Sequence, residues 1–138
     1  FGGGLALAKG MASSGLVDVI TESIKNGDFS PIIVVSLLIV LMLFMTELMS
    51  NVALVAVLAP VVAGIAIGLN IPILNVLIPV TMASSCAFML PMATPPNAIV
   101  FASGYVKVSE MARAGIILNV LAVGLLILYY QLVIPIIF

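Results

Sequence analysis

The chain has 138 residues, 64% hydrophobic and 7% charged, with no Trp, no His and a net charge of −1. Soluble domains carry about 25% charged residues, so this composition excludes a water-covered globular surface and places most of the chain in lipid. It also excludes a basic nucleic-acid face, and a single cysteine, Cys86, excludes an internal disulfide.

Taken in chain order, the opening "FGGGLALAKG" has neither an initiating Met nor a basic leader. It reads as the end of a truncated helix, and the sequence as a C-terminal fragment of a polytopic membrane protein. Within residues 13–27, Leu16, Val17, Ile20 and Ile24 fall at helical spacing, with Asp18, Glu22 and Lys25 toward the other face. Ser13 or Ser14 caps the start and Gly27 the end, which predicts a short amphipathic helix lying at the interface within a 1–30 unit.

Residues 31–69 are apolar apart from Ser36, Thr46, Glu47, Ser50 and Asn51. As one helix they would run about 58 Å, against a hydrocarbon core of about 30 Å, so they form two limbs. The polar cluster "TELMSN" puts the turn at the tip, 50–52. Two full spans with a turn at the far face and a re-entrant hairpin both fit. The shortage of polar residues at the tip favours the re-entrant form.

Asn70 and Pro72 separate the next unit, 72–104, predicted as a helix over 73–90, a break at 91–97 and one or two further turns. Pro91, Pro95 and Pro96 remove backbone donors and push the residues before them out of the helical region. Thr94 reads as the N-cap of the second half-helix, with the two prolines at its first positions. Irregular backbone at membrane depth persists only where it is buried in protein or lines a cavity, so the break reads as a binding site. Carbonyls at the end of the first half-helix suit a cation. N–H groups and the positive dipole at the start of the second suit an anion. The final unit, 110–138, is a transmembrane helix. Lys107 and Arg113 make loop 104–113 cytoplasmic and put the C-terminus outside, in an inner or plasma membrane.

Both helix breaks carry Asn beside Ser or Thr, with no Lys or Arg nearby. Two walls of one site built this way would neutralise an anion with helix ends and co-bound cations. Glu47, the one charged residue between Asp28 and Lys107, reads either as functional or as a structural carboxylate bonded to backbone of an absent half or held protonated. Ser84 and Ser85 read as helix residues bonding their own backbone.

"TELMSNV" at 46–52 and "SCAFMLPMATPPNAIVFASG" at 85–104 resemble the divalent anion/sodium symporter family, carriers of succinate, malate, citrate and relatives. The resemblance implies an all-α membrane protein, here the second of two inverted repeats, with an interfacial helix, a re-entrant hairpin, a broken helix and a final span. It implies a substrate carboxylate at Ser50, Asn51, Val52, Thr94 and Pro95. It implies a coupling sodium ion at Thr46, Met49, Asn51 and Ala93, through carbonyls and the Asn51 side chain, and no organic cofactor. Such oxygen ligands suit a hard cation. Many members have Thr where this chain has Val52, which replaces a donor by a methyl group and leaves di- and tricarboxylate both open. Implied partners are the N-terminal half of the same carrier, a second copy in a homodimer, and the lipid bilayer. The implied activity is sodium-coupled transport by alternating access. Sodium-independent exchange, a channel and a structural membrane subunit are the alternatives. An intramembrane enzyme is excluded, because no nucleophile–base pair, metal cluster or pair of acids is present.

Overall fold

A computed structural model describes residues 6, 10, 13–16, 18, 19, 22, 23, 27 and 29–137. The Gly-rich start over 1–12 lies largely outside the described residues; of the amphipathic helix expected over 13–27, residues 16, 18, 19, 22 and 23 are helical, after a turn at Ser14 and Gly15.

Pro31 opens helix α1 (Pro31–Thr46), at a position where its missing N–H has no partner to lose. A four-residue turn, 47–50, leads into α2 (Asn51–Gly68), with Ser50 at the N-cap. Val34 near the start of α1 packs with Val61 and Ile65 near the end of α2, so the two helices run antiparallel. Asn70, in the left-handed region at φ 55°, ends α2. Asn tolerates that conformation, and it turns the Ile71 N–H back onto the Ala66 carbonyl.

The third helix, α3 (Ile73–Ala83), is followed by an irregular stretch over 84–94 and then by α4 (Pro95–Ala102). Gly104, at φ 76°, turns the chain out of α4. The longest helix, α5 (Val108–Leu132), starts with the Glu110 carboxylate accepting from the Lys107 N–H at 2.9 Å. A single turn, α6 (Ile134–Ile137), follows, set off by Pro135 near its start. The described residues form helices and turns, with no strand among them.

α3 is the centre of the packing, touching α1, α2 and α5, while α1 also packs on α5. Val35, Ile39, Met42 and Leu43 of α1 meet Leu54, Val62 and Ala66 of α2, Val76, Val80 and Ala83 of α3, and Leu126 of α5. α1 and α2 are apolar on every face, so their sequences do not say which side is buried. In lipid that choice falls to packing complementarity, because tails are as apolar as the side chains themselves. α4 contributes no buried residue.

The helix expected over 73–90 stops seven residues early, at Ala83, and the break expected at 91–97 begins at 84. Continuing α3 would pair the Phe88 N–H with the Ser84 carbonyl. Instead the Thr46 hydroxyl donates to the Ser84 carbonyl at 2.6 Å, and the Phe88 N–H donates to Glu47 Oε1 at 2.9 Å. Two adjacent side chains of the α1 end replace one helical hydrogen bond, and the helix ends there.

Candidate functional site

The turn after α1 and the loop before α4 face each other across a cavity of about 570 Å³. One wall is residues 48–52 and the other residues 91–95, with Ala98 beside them. The cavity therefore brings together Ser50, Asn51, Val52, Thr94, Pro95, Met49 and Ala93, from two segments some forty positions apart in the chain. Its lining carries no charged side chain. Thr46 is not in the lining; it is fully buried behind Asn51. Asn51 and Val52 also line a second cavity of about 390 Å³, on the side of Thr81, Ser84 and Ser85.

The two helix starts at the cavity differ in what they offer. At α4 the orphan donors are used up: Pro95 and Pro96 have none, Asn97 N–H donates to Thr94 Oγ1 at 3.4 Å, and Ala98 N–H to the Thr94 carbonyl. Thr94 is the N-cap that the sequence predicted, but the α4 start presents no free N–H to an anion, contrary to expectation. At α2 the Ser50 hydroxyl makes no capping bond, and the first helical bond is Leu54 N–H to the Ser50 carbonyl. Among the described residues no acceptor meets the N–H groups of Asn51, Val52 and Ala53. The helix start left open at the cavity is therefore α2, where three N–H groups and the positive end of the dipole sit beside the Ser50 hydroxyl, an arrangement that suits an anion.

Oxygen donors are also on hand. Among the described residues, no N–H meets the carbonyls of Thr46, Met49 or Ala93. Thr46 Oγ1 lies 2.6 Å from Asn51 Oδ1 and 2.6 Å from the Ser84 carbonyl oxygen. One hydroxyl proton serves one acceptor. Both contacts are satisfied when the hydroxyl donates to Ser84 and the Asn51 amide is turned to donate to Thr46, which frees Oδ1 for the cavity. Uncharged carbonyl and amide oxygens of this kind fit a hard monovalent cation and do not fit a softer transition metal.

Behind the site, the Glu47 carboxylate is 3% exposed and accepts from four donors. Oε1 receives Phe88 N–H at 2.9 Å, Met89 N–H at 3.0 Å and Asn119 Nδ2 at 2.8 Å. Oε2 receives Leu90 N–H at 3.1 Å and shares the Met89 N–H. Glu47 is thus a carboxylate bonded to backbone, as one reading of the sequence held, but that backbone belongs to this same chain rather than to an absent half. Asn97 holds the loop from its other side, its Nδ2 donating to the Ala87 and Leu90 carbonyls at 3.1 Å each. Ser84 bonds its own helix, Oγ to the Thr81 carbonyl at 2.7 Å.

Asn119 and the Ser84 carbonyl escaped the sequence reading. A signal for Asn119 was present: it is the one Asn in an otherwise apolar span, one turn after Gly115. Ser84 gave none, because a backbone carbonyl is the same in every residue.

Among the described residues the structure is helices and turns, with two helices long and apolar enough to cross a membrane, α2 and the 29-residue run Val108–Ile136, the make-up of a helical membrane protein. The chain belongs to the family described as the sodium:sulfate symporter transmembrane region, whose model matches residues 1–137. That membership makes it an integral membrane protein of a transporter family, not of an enzyme family. It is 39% identical over 136 residues to the sodium-dependent dicarboxylate transporter SdcS of Staphylococcus saprophyticus, covering 98% of this chain. It is 40% identical over 138 residues to the protein of the same name from Staphylococcus aureus strain USA300, covering 99% of this chain. The chain spans 26% of the length of each of these relatives.

Proposed function

We propose that this chain is the carboxy-terminal part of a sodium-coupled carboxylate carrier and supplies one half of its substrate and cation site. The observation that carries the reading is the single cavity between residues 48–52 and 91–95. It joins the open N–H end of α2 and the Ser50 hydroxyl to free carbonyls at Met49 and Ala93, without one Lys or Arg. A carboxylate entering there meets hydrogen-bond donors but no counter-charge, so a cation bound beside it completes its neutralisation. The names of the relatives, sodium-dependent dicarboxylate transporters, support the same chemistry.

In this reading Ser50, Asn51 and Val52 contact the carboxylate, joined by Thr94 and Pro95. Thr46, Met49, Ala93 and the Asn51 amide oxygen hold sodium. α1 and α2 are the limbs of a re-entrant hairpin: the 16 residues of α1, about 24 Å, fall short of a hydrocarbon core of about 30 Å, and α2, although long enough to cross, returns antiparallel against it. α3 and α4 are the halves of a broken helix, supported by the irregular stretch between them. An inverted repeat of these elements lies elsewhere in the carrier, and two copies assemble as a homodimer whose substrate-bearing parts alternate in access. Residues 104–113, the turn after α4 and the first residues of α5, are cytoplasmic and the C-terminus outside, in the inner or plasma membrane.

The test follows labelled succinate and citrate uptake into proteoliposomes holding this chain within a full-length carrier, with sodium or potassium outside. Expected is saturable, sodium-dependent uptake that Asn51→Ala abolishes. Uptake that ignores sodium and responds to internal dicarboxylate makes the protein an exchanger instead. No carboxylate uptake under either condition removes the substrate from the reading. This chain reconstituted alone is expected to give no uptake above empty vesicles.

A further inference from the structure

We propose that Glu47 is a positioning residue whose carboxylate clamps the 88–90 backbone to the turn after α1, holding the two walls of the cavity as one body. The inference rests on the reading of that cavity as the carboxylate and sodium site.

A buried charge among apolar helices is expensive unless it is fully hydrogen-bonded. Glu47 meets that condition with donors on both oxygens, three of them consecutive backbone N–H groups, an arrangement that cradles an anion. With both oxygens so occupied, the carboxylate has no face left for substrate or cation. Its place in the chain says what the clamp controls. Glu47 directly precedes the wall formed by residues 48–52, and Leu90 directly precedes the wall that starts at Pro91. α5 braces the same loop: Asn119 shares Glu47 Oε1, and a Cβ at Gly115 would overlap the Phe88 carbonyl and Met89 Cα. α3, which would otherwise carry these residues as a helix, has ended at Ala83. The spacing of Met49 and Ala93, and of Ser50 and Thr94, thus depends on a side chain that touches neither ligand.

Glu47→Gln keeps the shape but turns an NH2 toward a backbone N–H, so the loop is released on one side. In a full-length carrier holding this chain, the half-saturating concentrations of succinate and sodium should rise together in Glu47→Gln by about tenfold, the scale of losing hydrogen bonds to a charged group. Glu47→Asp, which keeps the charge, should recover part of both. A role confined to folding would lower the amount of transporter and its maximal rate while leaving both half-saturation values unchanged. That result overturns the proposal.

Cys86, half-buried in the same irregular stretch, gives a readout that needs no transport. With cysteines outside this chain replaced by serine, maleimide should label Cys86 severalfold faster in Glu47→Gln than in the parent. Equal labelling rates overturn the clamp. If the parent carries no succinate but the labelling rates differ, the substrate reading fails and the clamp stands. If Glu47→Gln does not reach the membrane, Asn119→Ala serves, since it removes one donor and keeps the charge. It should show the same paired shift at about two- to fivefold, and unchanged half-saturation values with unchanged labelling overturn the proposal.

Discussion

The Thr46 hydroxyl lies 2.6 Å from the carbonyl oxygen of Ser84, 38 residues further along the chain. It occupies the place that the Phe88 N–H would take in a continuous helix, and it stands 2.6 Å from the amide of Asn51 as well. Thr46→Val keeps the shape and removes both bonds. A buried carbonyl left without a donor costs about 1–3 kcal/mol, so thermal unfolding in detergent should show a clear loss of stability. Because Asn51 loses the group that orients its amide, the half-saturating sodium concentration of the full-length carrier should rise as well. Thr46→Ser, which keeps the hydroxyl, should restore most of both. A Thr46→Val carrier with the parent's melting temperature would show that the bridge contributes nothing to the fold.

Ser50 and Thr94 occupy equivalent N-cap positions on opposite walls but do different things. Thr94 Oγ1 caps α4 by accepting from Asn97, whereas the Ser50 hydroxyl makes no capping bond. Thr94→Ala should therefore cost about 0.5–2 kcal/mol of stability, recoverable in Thr94→Ser. Ser50→Ala should leave the melting temperature within error while raising the succinate half-saturation value. Comparison of melting curves with uptake kinetics separates the two roles. A destabilised Ser50→Ala protein would contradict the open α2 start.

Two glycines of α5 give a matched pair. A Cβ at Gly115 would run into the Phe88 carbonyl and Met89 Cα, while a Cβ at Gly124 meets nothing within 4 Å. Gly115→Ala forces the 88–90 loop away from α5 and should destabilise by about 1–3 kcal/mol, the usual range for overpacking. Gly124→Ala should be neutral, or stabilising by up to about 1 kcal/mol through its better helix propensity. Thermal melts of the two variants side by side decide the point.

What was legible in the sequence was local. Thr94 as N-cap followed by Pro95 and Pro96 follows from groups within one turn of each other, and the structure has that cap. Ser50–Asn51 as the place where the first apolar run turns was read from the only polar residues near its centre, and α2 starts at Asn51. The gathering of Ser50, Asn51, Thr94 and Pro95 was expected from the resemblance, and these residues share one cavity. The early end of α3 was not legible. Residues 84–90, "SSCAFML", contain no Pro or Gly and would extend a helix if left to themselves. The free N–H groups expected at the start of α4 were not read correctly either, because its prolines and its cap consume the donors that a helix start otherwise leaves open.

By itself, then, the sequence determined the solvent and the punctuation. A chain with 7% charged residues has to place most of its surface in an apolar medium, and proline and capping side chains act over a few residues whatever surrounds them. Only the tertiary structure decided which helix start stays open and where α3 ends. It also decided what the one deep carboxylate holds. Those outcomes depend on a hydrogen bond that Thr46 donates, and on others that Glu47 accepts, with backbone groups 38 to 43 positions away. Backbone donors and acceptors are chemically alike at every residue, so a sequence cannot show which of them a distant side chain will reach.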